Sequence, residues 1–253
     1  MNIYLAATSN VKTAFLNGRI DPAELNVLES FYTIQSWQIP LISQFNDFLL
    51  DSGAFTLLGT KKGKKINFEE YADKYAQFIV ENHITKYFEL DLDGVIGLDG
   101  TEKLRERIEK TTGIPSIPVW HKNRGKQYFI DMCKQYPYVA LGGLALHEIP
   151  INKIEPMFPW FINTAHKYGA KIHGLGFTNV NKLPNYHFDS VDSTTWNNGG
   201  RFGELDVYAH GTILIHRSVH NGEKYRKLKK PQNVNEHNLH EWIKFIKYAK
   251  LHL

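Results

Sequence analysis

The segment Lys86 to Asp93, KYFELDLD, sets Glu89, Asp91 and Asp93 at alternate positions, with Phe88, Leu90 and Leu92 between them. On a strand, alternate residues share a face, so this pattern predicts carboxylates on one side and apolar groups on the other. Three carboxylates repel one another and are costly to bury, so that face is expected to meet solvent, a ligand or a metal ion. A second chemical signal is Tyr138 to Glu148, YVALGGLALHE, an apolar run broken by Gly142-Gly143 and closed by His147-Glu148. A buried strand that ends on bare glycines brings its backbone N–H groups up to a ligand, where they can hold a planar, oxygen-bearing group. Other apolar runs end the same way. Phe48 to Leu50 leads into Asp51-Ser52-Gly53-Ala54-Phe55, Lys171 to Thr178 contains Gly174 and Gly176, and His187 to Thr194 carries Asp189 and Asp192 among hydroxyls.

These residues must be positioned by the elements around them. The chain has 253 residues, 42% hydrophobic and 22% charged, which suits one α/β domain of barrel size spanning residues 1–253. The pattern predicts a first strand over Asn2 to Thr8, then a helix over Asp21 to Ser30 with Asp21 as N-cap and Pro22 at the first helical position. A basic loop, Lys61, Lys62, Lys64 and Lys65 around Gly63, precedes a helix from Asn67 to His83. Strands follow at Lys86–Asp93, Ser116–His121, Tyr138 onward, Lys171–Thr178 and His187–Thr194, with helices at Gln127–Tyr136 and near Pro156–Tyr168. A hairpin about Gly211, residues 203–218, and an amphipathic helix over residues 234–251 complete the chain. Strand alternating with helix, and polar or glycine residues gathered at strand ends, predict a (β/α)8 TIM-like barrel with its site at the carboxyl face.

Composition narrows the function. No apolar run approaches the roughly 20 residues that span a bilayer, and the first residues do not resemble a signal peptide, so a cytoplasmic protein without membrane association is expected. A single cysteine, Cys133, rules out an intrachain disulfide and a cysteine-rich zinc site. The formal charge of +4 permits an acidic partner. The basic loop at Lys61–Lys65, together with Arg201, Lys224 and Arg226, offers contacts to a phosphate backbone.

Four strings in order, Asp51-Ser52-Gly53-Ala54-Phe55, Gly142 to Glu148, Gly174-Leu175-Gly176 and Phe188-Asp189-Ser190, give the chain a resemblance. It resembles the tRNA-guanine transglycosylase superfamily, over roughly Asp51 to Arg217. The resemblance implies a barrel enzyme that exchanges guanine in a nucleic acid for a 7-deazaguanine such as preQ0, through a covalent aspartyl intermediate and with retention. Transfer-RNA members of the superfamily carry a zinc module of three cysteines and a histidine, which this chain lacks. Its short length and lack of that module look more like the compact, often phage-encoded relatives that modify DNA. DNA is therefore favoured over tRNA as polymer, the host cytoplasm is the expected location for a phage protein, no cofactor or metal is expected, and a homodimer is compatible with the chain.

The resemblance also implies roles. Asp51 matches the acid/base residue and Asp189 the nucleophile by motif, whereas Asp192 is the rival by its place nearer the strand's carboxyl end. Residues three apart on a strand face opposite ways, so only one of the two is expected to enter the site. Asp91 or Asp93 would accept from the guanine N1–H and N2–H₂ donors, with Ser52, Gly142, Gly143, Leu144 and Gly176 completing the base pocket. His121 stands where the family has glutamine, and Trp120, Phe177 and Trp196 are candidates for stacking on the base. Two rival classes follow from the residues themselves: a metal-dependent barrel hydrolase using Glu89, Asp91, Asp93, His121 and His173, and a non-catalytic nucleic-acid-binding subunit.

Overall fold

The computed structural model describes residues 1–59, 66–143, 150–177, 179–199, 204–217 and 231–253. Its centre is a curled, wholly parallel seven-stranded sheet in the order β3-β2-β1-β7-β6-β5-β4. The strands are β1 (Asn2–Ala6), β2 (Asn26–Ser30), β3 (Asp47–Asp51), β4 (Val119–Trp120), β5 (Tyr138–Leu141), β6 (Lys171–Gly174) and β7 (Ser190–Ser193). Every neighbouring pair is parallel, so all seven strands end on the same rim. The two outer strands are linked through Tyr87 and Phe88, which bridge Leu50 of β3 and Ile117 just before β4.

The helices are α1 (Lys12–Leu16), α2 (Ala54–Gly59), α3 (Phe68–Glu81), α4 (Asp93–Thr112), α5 (Gly125–Gln135), α6 (Ile151–Ile154), α7 (Phe158–Lys167) and α8 (Pro231–His252). Asn67 caps α3 by accepting from Glu70 N, as its sequence position implies. The strands β8 (Glu204–Ala209) and β9 (Thr212–Arg217) form an antiparallel hairpin whose two turn residues, His210 and Gly211, both have positive φ. That conformation is what a two-residue hairpin turn requires.

The strands bury both faces, which is why their sequences read as unbroken apolar runs. Ile3, Leu5, Val27, Leu50, Val139, Leu141 and Val191 pack outward into the large cluster shared with the helices. Tyr4, Ala6, Leu28, Leu49, Phe88, Val119 and Ala140, from the alternate positions, form a separate cluster inside the curl. Helix α8 anchors the hairpin to this body: Leu239, Trp242 and Phe245 are buried, and Trp242 Nε1 donates to Asp206 Oδ2 at 2.6 Å.

Two expectations give way. Asp21 does cap a turn, its side chain accepting from Ala23 N, but that turn is a 3-10 segment ending at Glu24. Asn26 to Ser30 is strand β2 instead of helix, because it pairs in parallel with both β1 and β3 and buries Val27 and Leu28 on opposite faces. Lys86 to Asp93 is not a continuous strand either: beyond Phe88 the chain leaves the sheet, and α4 begins at Asp93.

The reason lies in Glu89, which is fully buried instead of facing solvent. Its Oε1 accepts from Val119 N at 2.6 Å and from Arg124 Nη1 at 2.7 Å, and Arg105 Nη1 reaches Oε2 at 3.1 Å. Burial raises the Glu89 pKa, against the pull of the two guanidinium groups. Arg124 also grips Asp93 with a two-pronged contact, Nε to Oδ2 at 2.6 Å and Nη2 to Oδ1 at 2.7 Å. Although burial alone would raise it, the Asp93 pKa is lowered because Arg124 holds the charged form.

Removing Arg124 would strip Asp93 of its guanidinium partner and leave the buried Glu89 with Arg105 as its one described guanidinium. Arg124→Ala is expected to cost about 3–5 kcal/mol of stability in urea unfolding. A loss below about 1 kcal/mol would mean the network is dispensable.

Candidate functional site

The rim formed by the carboxyl ends of the strands collects Asp51 at the end of β3, Asp91 before α4, His121 after β4, Gly142 and Gly143 after β5, Gly176 after β6, and Asp192 in β7. Three of these are acids from separate parts of the chain. Asp51 Oδ2 accepts from Gly53 N at 2.9 Å. Its pKa is pushed up to about 7 by burial first and then by the charges of Asp91 and Asp192, against the Gly53 hydrogen bond. The two other acids are therefore near enough to act on it electrostatically. A carboxyl that titrates near neutrality can both give and take a proton at working pH.

Asp91 is held by His121, whose Nε2 lies 2.9 Å from Asp91 Oδ2. The two side chains retain 24% and 13% exposure, enough to meet a ligand. Gly142 makes room for this pair. A Cβ there would stand 2.6 Å from Val119 Cγ1 and 3.1 Å from His121 Nε2. Its N–H is used in the sheet, donating to Trp120 O at 2.8 Å, and Gly143 turns the chain with φ of 75°. Asp192 is oriented by two contacts on one oxygen: Gly176 N donates to Oδ1 at 2.6 Å, and His173 Nε2 lies 3.2 Å away. The positive φ of Gly176, 70°, aims its N–H at that carboxylate.

Asp189, preferred on its motif, is at the other end of β7. It precedes the strand, its carbonyl accepting from Asn2 N at 2.9 Å, and its carboxylate accepts from Ile172 N at 2.8 Å and meets His166 Nε2 at 3.0 Å. Those contacts staple the amino ends of β1, β6 and β7 to the end of α7. Asp192, not Asp189, is the residue brought to Asp51 and Asp91.

Other expectations are corrected by burial and partners. Asp93 and Glu89 are committed to Arg124, so of the acidic segment Asp91 alone reaches the rim. Ser52 is wholly buried, its carbonyl accepting from Tyr71 at 2.6 Å. Trp120, Phe177 and Trp196 are core residues: Trp120 packs on Phe129 and Phe161, Phe177 on Phe158, Tyr186 and Phe188, and Trp196 Nε1 donates to Ala6 O at 2.9 Å. Leu144, Lys61, Lys62, Lys64, Lys65, Arg201, Lys224 and Arg226 lie outside the described residues. Among the described residues, no three His, Cys, Asp or Glu side chains are grouped to hold a metal ion, and no helix is long and apolar enough to cross a membrane.

Sequence reasoning missed His173 as a partner of Asp192, and Glu29, which is buried at the end of β2 with Thr8 N at 2.7 Å and Thr8 Oγ1 at 2.6 Å. It also missed a cavity of about 510 Å³ beside the rim, lined by Asn179, Thr195, Asp206, Ile213 and Trp242. The sequence placed His173 on a strand, but no local signal named its partner. The chain matches no protein-family model and no curated protein, so the chemistry of the site rests on its own geometry.

Because folding forces Asp51 to keep a proton it would release in the open chain, it costs stability above its unfolded pKa. Asp51→Asn mimics the protonated acid. It is expected to stabilise the fold at pH 8 by roughly 2–4 kcal/mol. The gain should shrink as pH falls toward 4, where both states bind the proton, and urea unfolding at pH 8 and pH 5 reads it. Gly142→Ala is expected to displace His121 from Asp91 and to weaken any ligand held by that pair, with melting temperature and ligand affinity as the two measurements.

Proposed function

We propose that this protein is a base-exchange transglycosylase that replaces guanine in a nucleic acid, DNA by preference over tRNA, with a 7-deazaguanine. The observation that carries the reading is the convergence of Asp51, Asp91 and Asp192 on one rim, with Asp51 pushed up to about 7 by burial first and then by the charges of the other two. Retaining exchange at a glycosidic carbon calls for one anionic carboxylate and one carboxyl that handles protons near neutrality. The order of the four strings that resemble the transglycosylase superfamily supports the same assignment. The seven parallel strands, with Tyr87 and Phe88 bridging the outer two, support reading the fold as a (β/α)8-type barrel in which those residues hold the eighth strand position.

In this reading Asp192 attacks the sugar C1′ from the face opposite the base. The C1′–N9 bond breaks, its electron pair leaves with guanine, and Asp51 supplies the proton the departing base takes up. The incoming 7-deazaguanine then gives its N9 proton to Asp51 and attacks C1′, and the bond to Asp192 breaks. Two inversions give net retention. Asp91, held by His121, accepts from the N1–H and N2–H₂ edge of the base, and this acceptor selects guanine-like bases over adenine. A target base within a duplex has to leave its stack to reach such a rim.

The test is incorporation of labelled guanine or 7-cyano-7-deazaguanine into duplex DNA, single-stranded DNA and tRNA. Wild type is expected to label DNA. Asp192→Ala should lose at least about 10³-fold in rate, and Asp51→Asn roughly 10²–10⁴-fold. Asp189→Ala should keep its rate apart from any loss of folded protein. For wild type, kcat/KM for the nucleic acid should fall above pH about 7, as Asp51 loses the proton it must deliver. Label entering tRNA alone would overturn the choice of polymer, and exchange that survives Asp192→Ala would overturn the mechanism.

A further inference from the structure

Four polar side chains run in one line through the interior of the curled sheet, from the amino end of β5 to the rim. Tyr138 Oη meets Ser190 Oγ, and Ser190 Oγ meets His173 Nδ1. His173 Nε2 then faces Asp192 Oδ1 at 3.2 Å. His173 is fully buried, with the rings of Tyr4 and Phe88 centred 6.0 and 5.2 Å from its own, and among the described residues its polar contacts are those of this line. Nothing in the exchange chemistry above calls for a histidine at this place.

Counting protons gives the line one direction. Nε2 points at a carboxylate oxygen, so it has to carry the ring proton, because a bare nitrogen there would set two lone pairs against each other. In a neutral ring Nδ1 is then an acceptor and takes the one proton of the Ser190 hydroxyl. Ser190 Oγ, having spent that proton, accepts from Tyr138. Burial raises the Tyr138 pKa, which keeps its hydroxyl protonated as the terminal donor.

The consequence falls on Asp192. Its Oδ1 receives both His173 Nε2 and the Gly176 N–H at 2.6 Å, whereas Oδ2 makes no hydrogen bond among the described residues. Resting on the reading of Asp192 as nucleophile, we propose that His173 is a positioning residue whose Nε2–H tautomer, demanded by Asp192 and supported at Nδ1 by Ser190 and Tyr138, pins Asp192 Oδ1 and leaves Oδ2 as the attacking oxygen. The pinned oxygen fixes the plane of the carboxylate, so the free oxygen is held toward C1′ instead of rotating with its partner. The line also ties the nucleophile to the packed interior, which limits its travel as the covalent bond forms and breaks.

The experiment pairs imidazole ¹⁵N NMR with single-turnover kinetics on the full chain, in wild type, Ser190→Ala, Ser190→Thr and His173→Leu. The expected wild-type spectrum shows His173 protonated on Nε2 and bare on Nδ1. Ser190→Ala is expected to mix the tautomers and lower kcat roughly tenfold to a hundredfold with KM little changed. Ser190→Thr, which keeps the hydroxyl, should restore both. His173→Leu should fall at least as far as Ser190→Ala, and the serine variants carry the test if it does not fold. A wild-type ring protonated on Nδ1 alone, or on both nitrogens, would overturn the proposal. So would a Ser190→Ala enzyme whose tautomer shifts while kcat does not. If wild type exchanges no base into any polymer, the function proposed above fails on that result, and the NMR spectrum still decides the tautomer separately.

Discussion

The buried Glu89 carboxylate is the point on which the arrangement of the rim depends. It lies between β3 and β4, where Tyr87 and Phe88 supply a single bridge to each side in place of a full ladder. Glu89 makes up for the missing ladder with charge: it takes the backbone N–H of Val119 and two arginines, one from α4 and one from the turn before α5. An isolated buried carboxylate would cost far more than the fold can spare, and a buried pair is tolerable only when its remaining hydrogen bonds are met. Here the carboxylate oxygens are all engaged, Arg105 Nε is the one buried donor of the network left without a partner among the described residues, and Asp93 completes the neutralisation of Arg124. The geometry that results sets Asp91, between Glu89 and Asp93 in sequence, and His121, between Val119 and Arg124, side by side on the rim.

A different electrostatic situation holds on the rim itself. Asp51, Asp91 and Asp192 have no arginine among their described partners, and burial together with the charges of the other two leaves a carboxyl, Asp51, that keeps its proton up to about pH 7. The interior network is built from matched charges and serves the fold, whereas the rim collects like charges at the expense of stability. Uncompensated charge of this kind gathers where a ligand is to be bound or a proton moved. Gly142 and Gly176 belong to the same logic. The first yields space to His121, and the second lends its N–H to Asp192, so each glycine serves a neighbouring side chain more than it serves a turn.

The two aspartates of β7 show how a motif and a position can part. Asp189 and Asp192 are three residues apart, and the strand runs from the one toward the other. In a parallel sheet all strands share a direction, so the aspartate at the start faces the amino rim and its neighbours there, Ile172 and His166. The aspartate near the end faces His173, Gly176 and the carboxyl rim. String similarity alone favoured Asp189, while the rule that strand ends carry the chemistry favoured Asp192.

Much of the fold was legible in the chain because its signals are local. Apolar runs ending in Asp51, Gly142, Gly176 and Asp192 marked the strands and their rim, Asn67 marked the start of α3, and Gly211 marked the hairpin turn. Asp21 and Pro22 were read too far, since a capping signal states where a turn begins and not how long it lasts. What the tertiary structure alone decided was pairing over distance. Glu89 finds Arg105 and Arg124 at separations of 16 and 35 residues, and Asp192 finds His173 at 19. Periodicity can say which face a side chain occupies, but whether a carboxylate on that face is neutralised, exposed or set against another acid depends on strands that meet only once the sheet has curled.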